Sequence, residues 1–181
     1  MLRAPFLAAL TALVCGCPAQ PTPTAPVPAQ PLPIEGPPPP PQQSCGIDRP
    51  GPTIHLGQGL IGVVCFWKGD FMPSPDPTSG TILPVARTVE IYAAARDADT
   101  VNVPGTMFIS AVKTPLIATT TSGADGWFSV ALPPGTYSVF VREPQGLYAN
   151  GWNDAGIITP VEVVAGAAVR AQFNVDYEST H

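Results

Sequence analysis

Charge is scarce in this chain, and positive charge is scarcest. Only 8 of its 181 residues are Lys or Arg, against 13 Asp or Glu, for a formal net charge of −5. No basic run occurs, so the electrostatic footprint that nucleic acid or an anionic lipid surface requires is missing. Histidine is limited to His55 and His181, too few for a centre built on several imidazoles. The apolar stretch from Phe6 to Val14 is too short for a lasting membrane span. No segment carries a convincing helical period, and no internal repeat appears. Proline, by contrast, is abundant at 25 residues and crowded toward the front.

The front reads as an address. Met1-Leu2-Arg3 is a short basic start, and Phe6 to Val14 has the character of a signal-peptide core. Val14-Cys15-Gly16-Cys17 follows and resembles the lipobox of bacterial lipoproteins. The small Gly16 directly before Cys17 makes Cys17 the acylated residue and residues 1–16 the signal peptide. Cys15 is the rival, but the bulky Val14 precedes it. An ordinary secretory signal cleaved nearby is the other reading. The resemblance implies several acyl chains on Cys17, hence durable membrane attachment. It also implies a cell-envelope location, with Pro18 in place of an inner-membrane retention Asp favouring the outer membrane.

Residues 17–44 form the lipidated cysteine and a proline-rich linker. Pro18 to Gln43 has one charge, Glu35, and no periodicity. Such a segment cannot bury enough surface to fold and favours extended polyproline II, with a reach on the order of 80 Å. It reads as a stalk, or alternatively as a docking segment for proline-binding modules. With Cys15 removed and Cys17 acylated, Cys45 and Cys65 remain, and an exported chain most simply joins such a pair in one disulfide. A thiol metal or redox site is the alternative, without a C-x-x-C spacing to support it.

Residues 45–181 have the pattern of strands. Ile61 to Trp67 is dense enough for a largely buried strand; Arg87 to Ala95, Leu116 to Thr121, Ile157 to Val163 and Val169 to Val175 supply more. Met107 to Val112 is ambiguous. Asp125 to Val141 reads as two strands joined at Pro133-Pro134-Gly135, a hairpin with Phe128, Val130 and Leu132 on one face. The total is about seven strands and no helix, an all-β antiparallel sandwich. The D-G-x-F-x-x-x-L-P-P-G-x-Y-x-x-x-V run of Asp125 to Val141 resembles the centre of carboxypeptidase regulatory-like domains. The ordered set Gly69-Asp70-x-Met72-Pro73, Val89-x-Ile91-Tyr92, Tyr148-Ala149-Asn150-x-Trp152 and Pro160-Val161-x-Val163 extends the likeness to bacterial lipoproteins carrying one such domain. The resemblance implies a transthyretin-like sandwich and an accessory, adhesive or structural role.

Catalysis is not expected. The hydroxyisourate hydrolases that share the transthyretin-like fold need histidines, an arginine and a terminal Y-R-G-S, whereas this chain ends Tyr177-Glu178-Ser179-Thr180-His181. Loop carboxylates at Asp97 and Asp99, Asp70 and Asp76, and Asp125 and Asp154 raise calcium, but no D-x-D-x-D-G string gathers them. Lys68, Asn174 and Glu90 are the residue types of an internal isopeptide, yet Asn174 falls on a polar face and no such bond is expected. No cofactor or metal is expected. The candidate ligand site is Tyr148, Asn150, Trp152, Asn153 and Asp154, where aromatic faces stand beside amides and a carboxylate, as sugar or peptide recognition needs. The competing reading is that Tyr148 and Trp152 cap the core while Asn and Asp make turns. The expected partners are the membrane, through Cys17, and a protein or glycan ligand in the envelope.

Overall fold

Gly59–Asp70 forms β1, and its first seven residues are all buried. A strand so covered needs apolar packing on both faces. In the computed structural model, which describes residues 45–73 and 80–181, both faces have it. Leu60 and Val64 enter the core between two sheets, while Ile61, Val63 and Cys65 belong to a separate cluster on the far side. Gly62 stands where a Cβ would come within 2.2 Å of the Phe128 ring and 2.9 Å of the Phe173 ring. Only a residue without a side chain lets those two rings meet across β1.

The first sheet is built around β1. Ala168–Thr180, the last strand (β11), runs parallel to it along one edge. The other edge is shared by Trp127–Val130 (β7), opposite Leu60 to Val63, and Thr81–Pro84 (β2), opposite Cys65 to Lys68. The second sheet runs Thr100–Asn102 (β4), Ile109–Val112 (β5), Gly146–Tyr148 (β9), Gly135–Glu143 (β8), Thr88–Ala93 (β3) and Leu116–Thr121 (β6). Pro160–Val163 (β10) lies beside the first half of β8, along the edge that β9 occupies further on. The fold is thus an all-β sandwich, as the alternation implied, and among the described residues every strand pairing but β1 with β11 is antiparallel. Parallel partners need a long crossover, and here the whole intervening domain is that connection.

The element order departs from the sequence reading in two ways. β2, β4, β5 and β9 add four short strands to the expected seven; β5 falls in the ambiguous Met107 to Val112, and the others in stretches without a clear strand pattern. And the expected hairpin is not one. β7 pairs with β1 in the first sheet, whereas β8 pairs with β3, β9 and β10 in the second. The Pro133-Pro134 corner carries the chain from sheet to sheet, and the Tyr137 hydroxyl fixes it by donating to the Pro133 carbonyl at 2.9 Å. The alternation misled because Phe128 and Leu132 enter the core from one side, and Tyr137, Val139 and Val141 enter it from the other. Hairpin partners and facing strands of a sandwich share the same period of two.

Each outer face has its own cover. Over the first sheet, residues 45–58 place Cys45, Ile47, Ile54 and Leu56 against Ile61, Val63 and Trp127. The Cys45–Cys65 disulfide, with Cα atoms 5.5 Å apart, holds this segment to β1. Over the second sheet, Tyr92, Ala95, Ile109, Phe140, Leu147 and Ile158 form a smaller cluster. The fully buried Ser138 hydroxyl anchors the chain above it by accepting from the Ala95 N–H at 2.9 Å. The Ile158 N–H then donates to the Ala95 carbonyl, which lays the 149–158 loop across the sheet. The expected signal peptide (1–16), Cys17 and the linker (17–44) lie outside the described residues.

Candidate functional site

Where the 149–158 loop meets the short strands at the end of the second sheet, it leaves a groove of about 500 Å³. Asp97, Asn102 and Met107 line it together with Tyr148 at the end of β9 and Asn150 and Trp152 of the loop. Trp152 is 57% exposed and Met107 58%. The indole is nevertheless held in place. Its N–H donates to Asp97 Oδ1 at 3.0 Å, and its backbone bridges to Ile158. Asp97 opens the single 3-10 turn among the described residues, Asp97–Asp99. That turn is closed by the Arg96 N–H donating to the Asp99 carboxylate at 2.9 Å, a local hydrogen bond of the kind Asp makes at turns.

The five residues singled out in the sequence divide. Tyr148 lies in β9, buried, packed on Phe108 and Tyr177. Its hydroxyl donates to the Asp176 carboxylate. Burial, and then that carboxylate, push the phenol's pKa up. Asn150 is exposed, and its Nδ2 donates to Asp176 Oδ2 at 2.8 Å. Asn153 is turn chemistry: its Oδ1 accepts from the Ala155 and Ile157 N–H groups at 3.1 and 2.9 Å. Asp154 is exposed on the same turn and is not among the groove-lining residues. The core-capping reading therefore holds for Tyr148 and the turn reading for Asn153, while Trp152 stands open. Asp97, Asn102 and Met107 were not read as part of this site. They lie some fifty residues upstream, brought alongside by the pairing of β5 with β9, and no local pattern carries that pairing.

The remaining candidates are accounted for by other contacts. Asp70 accepts from the Met72 N–H and Asp125 from the Trp127 N–H, both turn bonds. Among the described residues, no three of His, Cys, Asp and Glu gather as metal ligands; Asp76 lies outside those residues. Lys68 is exposed and pairs with Glu178 at 3.1 Å. Glu90 accepts from Arg142 Nε at 2.6 Å and from the Tyr92 hydroxyl at 2.7 Å. Burial opposes its charge, but these bonds win and hold its carboxyl below the usual value, while burial and Glu90 push Tyr92 up to about 12. Glu143, buried, accepts from Arg87 at 2.7 Å and Tyr177 at 3.0 Å. Ser179, His181 and Asp176 come together near the C-terminus without forming a relay. The same imidazole nitrogen, Nε2, faces both Ser179 Oγ at 2.9 Å and Asp176 at 4.0 Å, and Ser179 donates its proton to the Asp176 backbone carbonyl. A nucleophile–base–carboxylate relay needs the two partners on opposite ring nitrogens.

Compared with known proteins, the chain matches no family model, no curated protein and no solved structure.

Proposed function

We propose that this protein is a membrane-anchored lipoprotein of the bacterial cell envelope. It carries acyl chains on Cys17, lifts its sandwich on the proline-rich stalk, and uses the sandwich as a non-catalytic interaction module. Membership of the carboxypeptidase regulatory-like lipoproteins is part of the same proposal and rests on the motifs of Asp125 to Val141 and their ordered companions. The observation that carries the reading is the Cys45–Cys65 disulfide. It has the redox chemistry of an exported protein, and it leaves Cys15 and Cys17 outside the fold, of which Cys17 follows the small Gly16 that the lipobox resemblance calls for. Intact mass of the protein extracted from its native membrane tests this. A chain beginning at Cys17 with acyl groups added, and gaining two hydrogens on reduction, is the expected result. An unacylated chain would end the anchor and the stalk together.

A second reading, that the sandwich is a carbohydrate- or peptide-binding accessory module, is favoured by the exposed but tethered indole of Trp152. Leaving about half of a large aromatic ring in water forgoes the burial that usually stabilises it. A ring held by a hydrogen bond in that position is prepared to meet a ligand.

A further inference from the structure

The hydrogen-bonding groups of the groove are unbalanced. The Trp152 N–H is used by Asp97, the Asn150 amide by Asp176, the Tyr148 hydroxyl by Asp176, and the Thr100 hydroxyl by the Asp97 backbone carbonyl at 2.9 Å. A carboxylate only accepts, so Asp176 fixes the Asn150 amide with its nitrogen inward and its carbonyl oxygen free. Asp97 spends one carboxylate oxygen on the indole and keeps Oδ2. Of the side chains lining the groove, the Asn102 amide keeps both its donors and the Asn150 amide keeps one, against free acceptors at Asp97, Asn102 and Asn150. Asp97 is the one charged residue among those lining the groove, and no Lys or Arg is among them.

A neutral sugar presents both donors and acceptors, and its acceptors would find few partners here. A cation on an aliphatic stem presents donors alone. Its charge meets Asp97 Oδ2 and the π face of Trp152, and its methylenes meet Met107. Ammonium and guanidinium groups are attracted to an indole face, and here the Asp97 carboxylate at the indole N–H adds its own charge. The whole chain, at a net charge of −5, draws such a ligand toward it. We propose that the groove binds a basic peptide segment, with one Lys or Arg side chain laid across Trp152 and its head on Asp97. A groove of about 500 Å³ holds such a side chain with its neighbouring residues, more than a bare ammonium fills. This rests on the binding-module reading and is independent of the anchor.

The test is a titration of the full chain with N-acetylated, C-amidated pentalysine, followed by tryptophan emission and by calorimetry. Asp97→Asn keeps an acceptor for the indole and removes the charge; it should weaken binding about five- to tenfold, and Trp152→Ala by at least as much. Glu162→Gln, an exposed carboxylate on β10 outside the groove, should leave binding unchanged. Pentalysine acetylated on every side chain should not bind. Equal weakening by Glu162→Gln would reduce the effect to diffuse charge and overturn the proposal. Spermidine binding as tightly as the peptide would overturn it in favour of a free amine. Chitotetraose binding without any pentalysine binding would overturn the ligand class while leaving a binding module. No binding by any of the three would remove both, with the lipid anchor untouched.

Discussion

Trp127 and Trp152 both stand outside the main core, one on each sheet's outer side, and they have opposite fates. Trp127 is 8% exposed, with Gly51 of the 45–58 segment so close to its ring that a Cβ there would sit 2.5 Å away. Arg170 covers it further, 5.0 Å from the ring centre. Trp152 is tethered only through its N–H, to Asp97, and through the bridge to Ile158. One face of the sandwich is closed by a segment of its own chain, clipped down by a disulfide. The other is closed except for a groove. The difference shows where this protein puts stability and where it keeps surface for something else.

The contrast can be broken most sharply at Trp127. Trp127→Ala should cost about 3 to 5 kcal/mol, the range for emptying a buried aromatic site, read from urea melts. Removing the clip with Cys45→Ala and Cys65→Ala should cost about 3 kcal/mol on the chain-entropy estimate for a loop of this size. Proteolysis should then enter residues 45–58 first. The outer face of the second sheet should in turn respond to pH. Glu90 has a lowered pKa in the fold, so its contribution is present above the ordinary carboxylate value of 4.5 and lost as pH falls below it. Tyr92, on the same face, is raised to about 12. Its contribution is intact below 10 and lost as pH climbs from 10 through 12. Glu90→Gln should flatten the acid limb of a stability–pH curve. The smallest effect belongs to Trp152→Ala, within about 1 kcal/mol of the parent, because little is buried there.

The same two tryptophans mark how much the sequence disclosed. The sandwich was legible because core strands such as Val169 to Val175 and Arg87 to Ala95 alternate, and alternation is local. The Cys45–Cys65 bridge was legible because few cysteines leave few choices. The partnering of β7 with β1 was not, since period two is the same for a hairpin and for two facing sheets. Trp152 was found because Tyr, Asn, Trp and Asp crowd one short stretch. Its tether was missed, because Asp97 sits in a turn fifty-five positions upstream and reads as turn chemistry or a calcium candidate. Asn153 shows the reverse case: it stands in the same crowded stretch, but its amide oxygen is spent on the Ala155 and Ile157 N–H groups of its own turn.

One measurement bears most directly on the claim that the open face is the interacting one. The protein is labelled with 5-fluorotryptophan, its three fluorine resonances, for Trp67, Trp127 and Trp152, are assigned by single substitutions, and pentalysine is added. The account predicts that the Trp152 resonance alone shifts, saturably, while Trp127 stays still beneath its clipped cover. A shift at Trp127 or Trp67 with Trp152 unmoved, or no shift at all, would contradict it.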